Sequence, residues 1–205
     1  MLVASTTAWY AARAGGMVAF VLLTVGVLLG LALSGRARLE HWPRFAIEDV
    51  HRFVGLLAGT FVAIHVGVLL LQSYVPFSLA DLVIPFASAF DPLPTALGVI
   101  AMELMVALAL TNRYRRQLSY TFWRRAHYAN FVVWAFALIH GIASGTDTST
   151  LWGAATYAIA GGAVAGLTVW RVASRRALEP WALRLWPGTA ALVTAELLVA
   201  VALVR

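Results

Sequence analysis

The chain has 205 residues, 61% of them hydrophobic and 12% charged, with a mean hydropathy of +0.83 and a net charge of +6. A water-soluble domain is about half apolar and about a quarter charged, so a soluble enzyme, a disordered regulator and a nucleic-acid binder are excluded and the bilayer is the expected solvent. All 15 basic residues are arginine and there is no cysteine, so redox or metal chemistry falls to five histidines, the carboxylates or a bound cofactor.

A spanning helix needs about 20 mostly apolar residues. In chain order the pattern predicts spans at Met17–Ser34, Val50–Gln72, Thr95–Asn112, Phe122–Ala143, Leu151–Arg171 and Thr189–Val204. Tyr74–Phe90 is also apolar but holds Pro76, Asp81 and Pro85. Proline costs a helix interior about 3 kcal/mol, so this stretch reads as a re-entrant or interfacial segment. Small residues around Gly153, Gly161, Gly162 and Gly166 suit close helix packing.

The arginines fall in alternate connections. Arg36, Arg38, Arg44 and Arg52 follow the first span; Arg113, Arg115, Arg116, Arg124 and Arg125 separate the third and fourth; Arg171, Arg175, Arg176 and Arg184 separate the fifth and sixth. The intervening connections carry only Asp81, Asp91 and Asp147. The positive-inside rule makes the basic connections cytoplasmic. The expected fold is an all-α integral membrane protein, a six-transmembrane-helix bundle over residues 1–205 with both termini extracytoplasmic. No cleavable signal peptide is expected, since a basic n-region is missing. Trp9 and Tyr10 at one side, and Trp42, Trp123, Trp181 and Trp186 at the other, read as interfacial aromatic belts.

Four of the five histidines lie on two spans: His51 and His65 on the second, His127 and His140 on the fourth. Ionisable residues inside a membrane are costly and usually functional. The two helices start at the same face, so His51 and His127 share one depth and His65 and His140 another, about 20 Å away at 1.5 Å rise per residue. Zinc would require three or four ligands at one depth, whereas each depth offers two. Two imidazoles on opposite sides of a flat macrocycle suit haem iron, and two such pairs would stack two haems across the bilayer. Fourteen residues return His65 to within about 40° of His51 on a helix, but thirteen leave His127 and His140 about 140° apart. Either the fourth span is distorted or the two sites are displaced sideways. His41, in the cytoplasmic His41-Trp42-Pro43-Arg44 connection, reads as a surface residue.

The segments His51-Arg52-Phe53-Val54-Gly55-Leu56-Leu57, running on to His65, and Trp123-Arg124-Arg125-Ala126-His127-Tyr128, running on to His140-Gly141, resemble the ferric-reductase-like transmembrane domain family. That family includes ferric reductases, the membrane part of NADPH oxidases and the bacterial haem-binding subunit of the periplasmic methionine-sulfoxide reductase system. The resemblance spans essentially the whole chain. It implies two b-type haems with bis-histidine ligation, His51 and His127 on the inner one and His65 and His140 on the outer. Unlike the full oxidases, the sequence shows no G-x-G-x-x-G unit after a strand and no soluble flavin or nicotinamide domain, so FMN or another flavin would have to sit on a partner.

Arg52, Arg124 and Arg125 adjoin the inner histidines, where guanidinium groups either pair with haem propionates or simply mark a basic helix end. Arg13 has the corresponding choice at the outer face. Trp134 falls at mid-depth, to couple the two centres or to pack. Glu103 and Glu196 lie near the middles of their spans. The expected function is an electron-transfer subunit of a transmembrane oxidoreductase in a bacterial inner membrane, not a complete enzyme. Its donor would be a soluble or membrane protein or a quinol, and its acceptor an extracytoplasmic reductase or a small oxidant. The competing reading is a haem-free proton-conducting or transport protein using the histidines with Glu103 and Glu196, since imidazole titrates near physiological pH. A non-catalytic anchor for a larger complex is the third.

Overall fold

A computed structural model of the chain describes residues 2–34, 43–73 and 75–176. Within them the chain forms α1 (Leu2–Ser34), α2 (Arg44–Leu69), α3 (Leu79–Val83), α4 (Pro92–Arg113), a 3-10 turn (Arg115–Gln117), α5 (Tyr120–Tyr128), α6 (Asn130–Ser144) and α7 (Leu151–Arg176), with no strand among the described residues. Five helical stretches there are long and apolar enough to cross a membrane: Thr6–Ser34, Arg44–Leu69, Pro92–Arg113, Tyr120–Ser144 and Leu151–Ala173. The protein is an all-α integral membrane protein. The sixth expected span, Thr189–Val204, lies outside the described residues, as do His41, Trp42, Trp181, Trp186 and Glu196.

Helix boundaries follow local chemistry. Pro43, in extended conformation, precedes α2, and Pro92 opens α4, where a missing N–H costs nothing. Residues 75–90 of the expected interruption are not a span: their helical part is the five-residue α3. Ser78 caps α3 by accepting from the Asp81 amide, while the Asp81 carboxylate accepts from the Ser78 amide and hydroxyl. Those bonds hold the Asp81 carboxyl below its usual range.

The fourth span is broken. At Ala129 the amide bonds to the Ala126 carbonyl in a tighter i to i+3 turn, so that α5 ends at Tyr128 and α6 starts at Asn130. The Asn130 amide group donates to the His127 carbonyl at 2.7 Å. This distortion lies between His127 and His140 and removes the basis of the ideal-helix angle between them.

α1 organises the bundle, packing antiparallel along α2 and against α6 and α7, while α4 packs on α6. Phe20, Trp134, Tyr157, Ala160 and Val164 make a core between α1, α6 and α7. Trp134 Nε1 donates to Thr24 Oγ1 at 3.0 Å, and Thr24 Oγ1 donates in turn to the Phe20 carbonyl at 2.9 Å. Gly161, Gly162 and Gly166 do not make the expected close helix approach among the described residues, since a side chain there would meet nothing within 4 Å. Thr24→Val should strand the buried indole N–H and lower stability by about 1–3 kcal/mol. Thermal unfolding in detergent should then show a smaller loss when Trp134→Phe is added, because the unsatisfied donor is gone.

Candidate functional site

The fold brings the four membrane histidines together in two pairs. The His51 and His127 ring centres lie 6.1 Å apart with planes crossing at 73°; those of His65 and His140 lie 6.4 Å apart at 72°. A metal–imidazole bond is about 2 Å and the nitrogen lies about 1 Å from its ring centre, so two rings on one metal sit about 6 Å apart. Each pair therefore has the spacing of two imidazoles that grip a single atom from opposite sides. No group of three or more His, Cys, Asp or Glu side chains converges among the described residues. The donor set at each depth is two neutral nitrogens, which fits an iron already held in plane by a macrocycle.

In two of the four histidines a ring nitrogen is bonded to the neighbouring helix. His65 Nδ1 donates to the Ala12 carbonyl at 2.7 Å, and His140 Nδ1 to the Pro94 carbonyl at 2.9 Å. This tautomer leaves Nε2 bare, the arrangement by which metal-binding histidines are oriented and made more basic. His51 Nδ1 is buried and faces the Gly26 carbonyl without closing a hydrogen bond.

These three carbonyls share a device. A helical side chain leans toward the N-terminus and covers the turn before it, so the carbonyl of residue i is reachable only if residue i+4 is small. The residues four after Ala12, Gly26 and Pro94 are Gly16, Gly30 and Gly98. A Cβ on Gly16 would lie 3.0 Å from His65 Nδ1, one on Gly30 3.5 Å from His51 Cε1, and one on Gly98 2.8 Å from His140 Nδ1. His127 is held differently: the Trp123 ring stacks on it at 5.3 Å and 23°, and Asn130 Nδ2 lies 3.4 Å from its Nδ1. Trp123 also donates to Asn112 Oδ1 at 2.8 Å. The sequence reading treated Trp123 as part of an interfacial belt and did not single out Asn130, Gly16, Gly30 or Gly98. The signal was available: Gly16 and Gly30 are fourteen residues apart, as are His51 and His65.

The other candidate residues are placed less decisively. Arg52 is exposed and paired with Asp49 at 3.0 Å and Glu48 at 4.0 Å on its own helix. Arg124 contacts the Tyr128 and Tyr120 hydroxyls, and Arg125 is exposed. Trp134 is buried in the core and stacks on Phe20 at 6.4 Å. Arg13 Nε donates to Asp147 Oδ2 at 3.0 Å, tying α1 to the connection before α7. Glu103 lies on the exposed face of α4.

A cavity opens beside the His65–His140 pair, lined among others by Phe20, Arg13, Asp147 and Tyr157. Its lining residues are mostly apolar, as a large flat cofactor requires. Ser144, whose Oγ is buried without a hydrogen-bond partner, also lines it.

The family profile described as ferric reductase like transmembrane component matches residues 15–139. The chain belongs to that family. The matched stretch runs from within α1 to about two-thirds of the way along α6, includes His51, His65 and His127, and stops one residue before His140. No curated protein and no solved structure gives a significant match. Membership in this family connects the chain with electron transfer across a membrane.

Gly98→Ala should force the His140 ring from its Pro94 bond at an overpacking cost of about 1–3 kcal/mol. Gly59→Ala, at a position with nothing within 4 Å, should cost no stability and gain up to about 1 kcal/mol of helix propensity. Parallel thermal unfolding of the two variants in detergent reads the opposite signs.

Proposed function

We propose that this protein is the electron-transfer subunit of a transmembrane oxidoreductase and holds two b-type haems. His51 and His127 would hold one, His65 and His140 the other. The observation that carries this reading is the pair of facing imidazoles at 6.1 and 6.4 Å, each at the separation of two rings bound to one metal. Haem iron bound in this way supplies one-electron redox chemistry, and two such centres at different depths provide a path across the membrane.

The chain's own residues then have distinct tasks. The Ala12 and Pro94 carbonyls hold the His65 and His140 Nδ1 protons and present Nε2 to the gap. Gly16 and Gly98 leave room for the His65 and His140 rings. The buried Phe20–Trp134–Tyr157 cluster fills the space between the bundle's ends and excludes water from it. Arg52, Arg124 and Arg125, with Arg13 at the other end, are the cations available to acidic groups of a bound cofactor.

The basic residues Arg44, Arg52, Arg113, Arg115, Arg116, Arg124 and Arg125 lie in connections at the His51–His127 end, whereas Asp81, Asp91 and Asp147 lie in the opposite connections. This supports a cytoplasmic His51–His127 end in a bacterial inner membrane. Electrons would enter there from a soluble or membrane donor, with any flavin on that partner, or from a quinol. They would leave near His65 and His140 to an extracytoplasmic reductase or small oxidant. Glu103 is exposed on α4 and does not line the cavity beside His65 and His140.

The purified protein should show a Soret band, sharpened α and β bands on reduction, and about two haems per chain. His51→Ala or His127→Ala should remove one haem and leave the second, and His65→Ala or His140→Ala the converse. A haem content unchanged by all four substitutions overturns the assignment. The crossed ring planes also predict strongly anisotropic low-spin ferric electron paramagnetic resonance signals, unlike the rhombic signals of parallel imidazoles.

A further inference from the structure

Residues 75–91 cross the His65–His140 end of the bundle between α2 and α4, and they have two different faces. Phe77, Leu82 and Phe90 line the cavity beside the histidine pair. Leu82 is buried, and Phe77 meets Phe90 edge to face at 5.8 Å and 82°. On the other face, Leu79, Val83, Ile84 and Phe86 are each more than half exposed. Their exposure continues into Leu70 and Leu71, just past α2, and Leu93 at the start of α4. Exposed apolar side chains are thus also present at the ends of the two spanning helices that flank the segment.

Phe86 adds a second observation. Its φ is 67°, a left-handed backbone conformation that a bulky residue adopts only under strain. The ring is 63% exposed, so packing within the described chain does not repay that strain. Burial outside the chain would. Between Arg52 and Arg113 the sequence has no basic residue, so attraction to anionic headgroups is not what would hold this segment. Its two charges, Asp81 and Asp91, occupy helix N-terminal positions, Asp81 being bonded to Ser78. What remains is an apolar face of the kind that settles into the headgroup–acyl boundary.

We propose that residues 75–91 form a lid seated in the bilayer interface. Leu79, Val83, Ile84 and Phe86 insert among the lipids, while Phe77, Leu82 and Phe90 close the cavity beside His65 and His140. The lipid surface is thereby the partner that keeps the lid in place. Access to this cavity depends on the lid's seating, whatever the cavity holds, so the inference does not rest on haem binding.

The absence of cysteine makes the test direct. Single-cysteine variants Val83→Cys, Ile84→Cys and Phe86→Cys, with Ser149→Cys as the exposed control in the other connection at this end, can be spin-labelled in the full chain and placed in phosphatidylcholine vesicles. Labels at the three lid positions should collide with oxygen and be protected from a water-soluble nickel chelate; the Ser149→Cys label should show the reverse. Nickel accessibility at 84 and 86 overturns the proposal and leaves that face to a soluble protein partner. Ile84→Asp combined with Phe90→Cys tests closure: unseating the lid should expose the cavity-facing label to nickel. Continued protection of that label, with Ile84→Asp shown to have released a Leu79→Cys label into water, rejects the lid. Haem content measured on the same samples reports separately on the proposed function.

Discussion

The structure depends on letting imidazole rings approach helix backbones closely enough to be fixed there. In a spanning helix every carbonyl already accepts from an amide four residues on, and water is not available to satisfy a ring nitrogen that finds no partner. A histidine on the next helix must share an accepted carbonyl, and the side chain one turn later stands in its way. Glycine at Gly16 and Gly98 removes that obstacle. The close run of α1 along α2 follows, and with it the placing of the His51 ring between α1 and α5 and of the His65 ring between α1 and α6.

The opposite helix meets the same requirement by different means. α5 and α6 are one span in sequence but two helices in space, joined at Ala129 and braced by the Asn130 side chain on the His127 carbonyl. An unbroken helix would have turned His127 and His140 to different faces; the break lets both meet α2. The inner ring of this span is held by side chains, Trp123 and Asn130, whereas His65 and His140 are held by backbone carbonyls. The two pairs therefore share a spacing without sharing surroundings, a difference to which ligand basicity responds.

Between the pairs, Trp134 is fixed by Thr24 and Phe20 rather than left to rotate. This places a rigid aromatic core where the sequence allowed either a coupling group or ordinary packing. At the His65–His140 end the cavity is bounded by the Arg13–Asp147 pair on one side and by the 75–91 segment on another. The opposite end carries exposed arginines and aromatic residues. Such polarity, basic at one end and apolar or acidic at the other, suits a protein that must sit one way in its membrane.

Much was legible in the sequence because membrane constraints act on composition. Span length, the proline-containing interruption at Tyr74–Phe90 and the shared depths of His51 with His127 and His65 with His140 follow from rise per residue and the cost of buried polarity, which need no knowledge of neighbours. Ring orientation did not follow, because it depends on contacts between helices. An ideal wheel could not foresee the break at Ala129, nor could the belt pattern show that Trp123 stacks on His127. Gly161, Gly162 and Gly166 look like packing positions yet meet nothing among the described residues, while Gly16 and Gly98 admit His65 and His140. A glycine records only that a side chain is missing; which neighbour fills the space is decided when the helices pack.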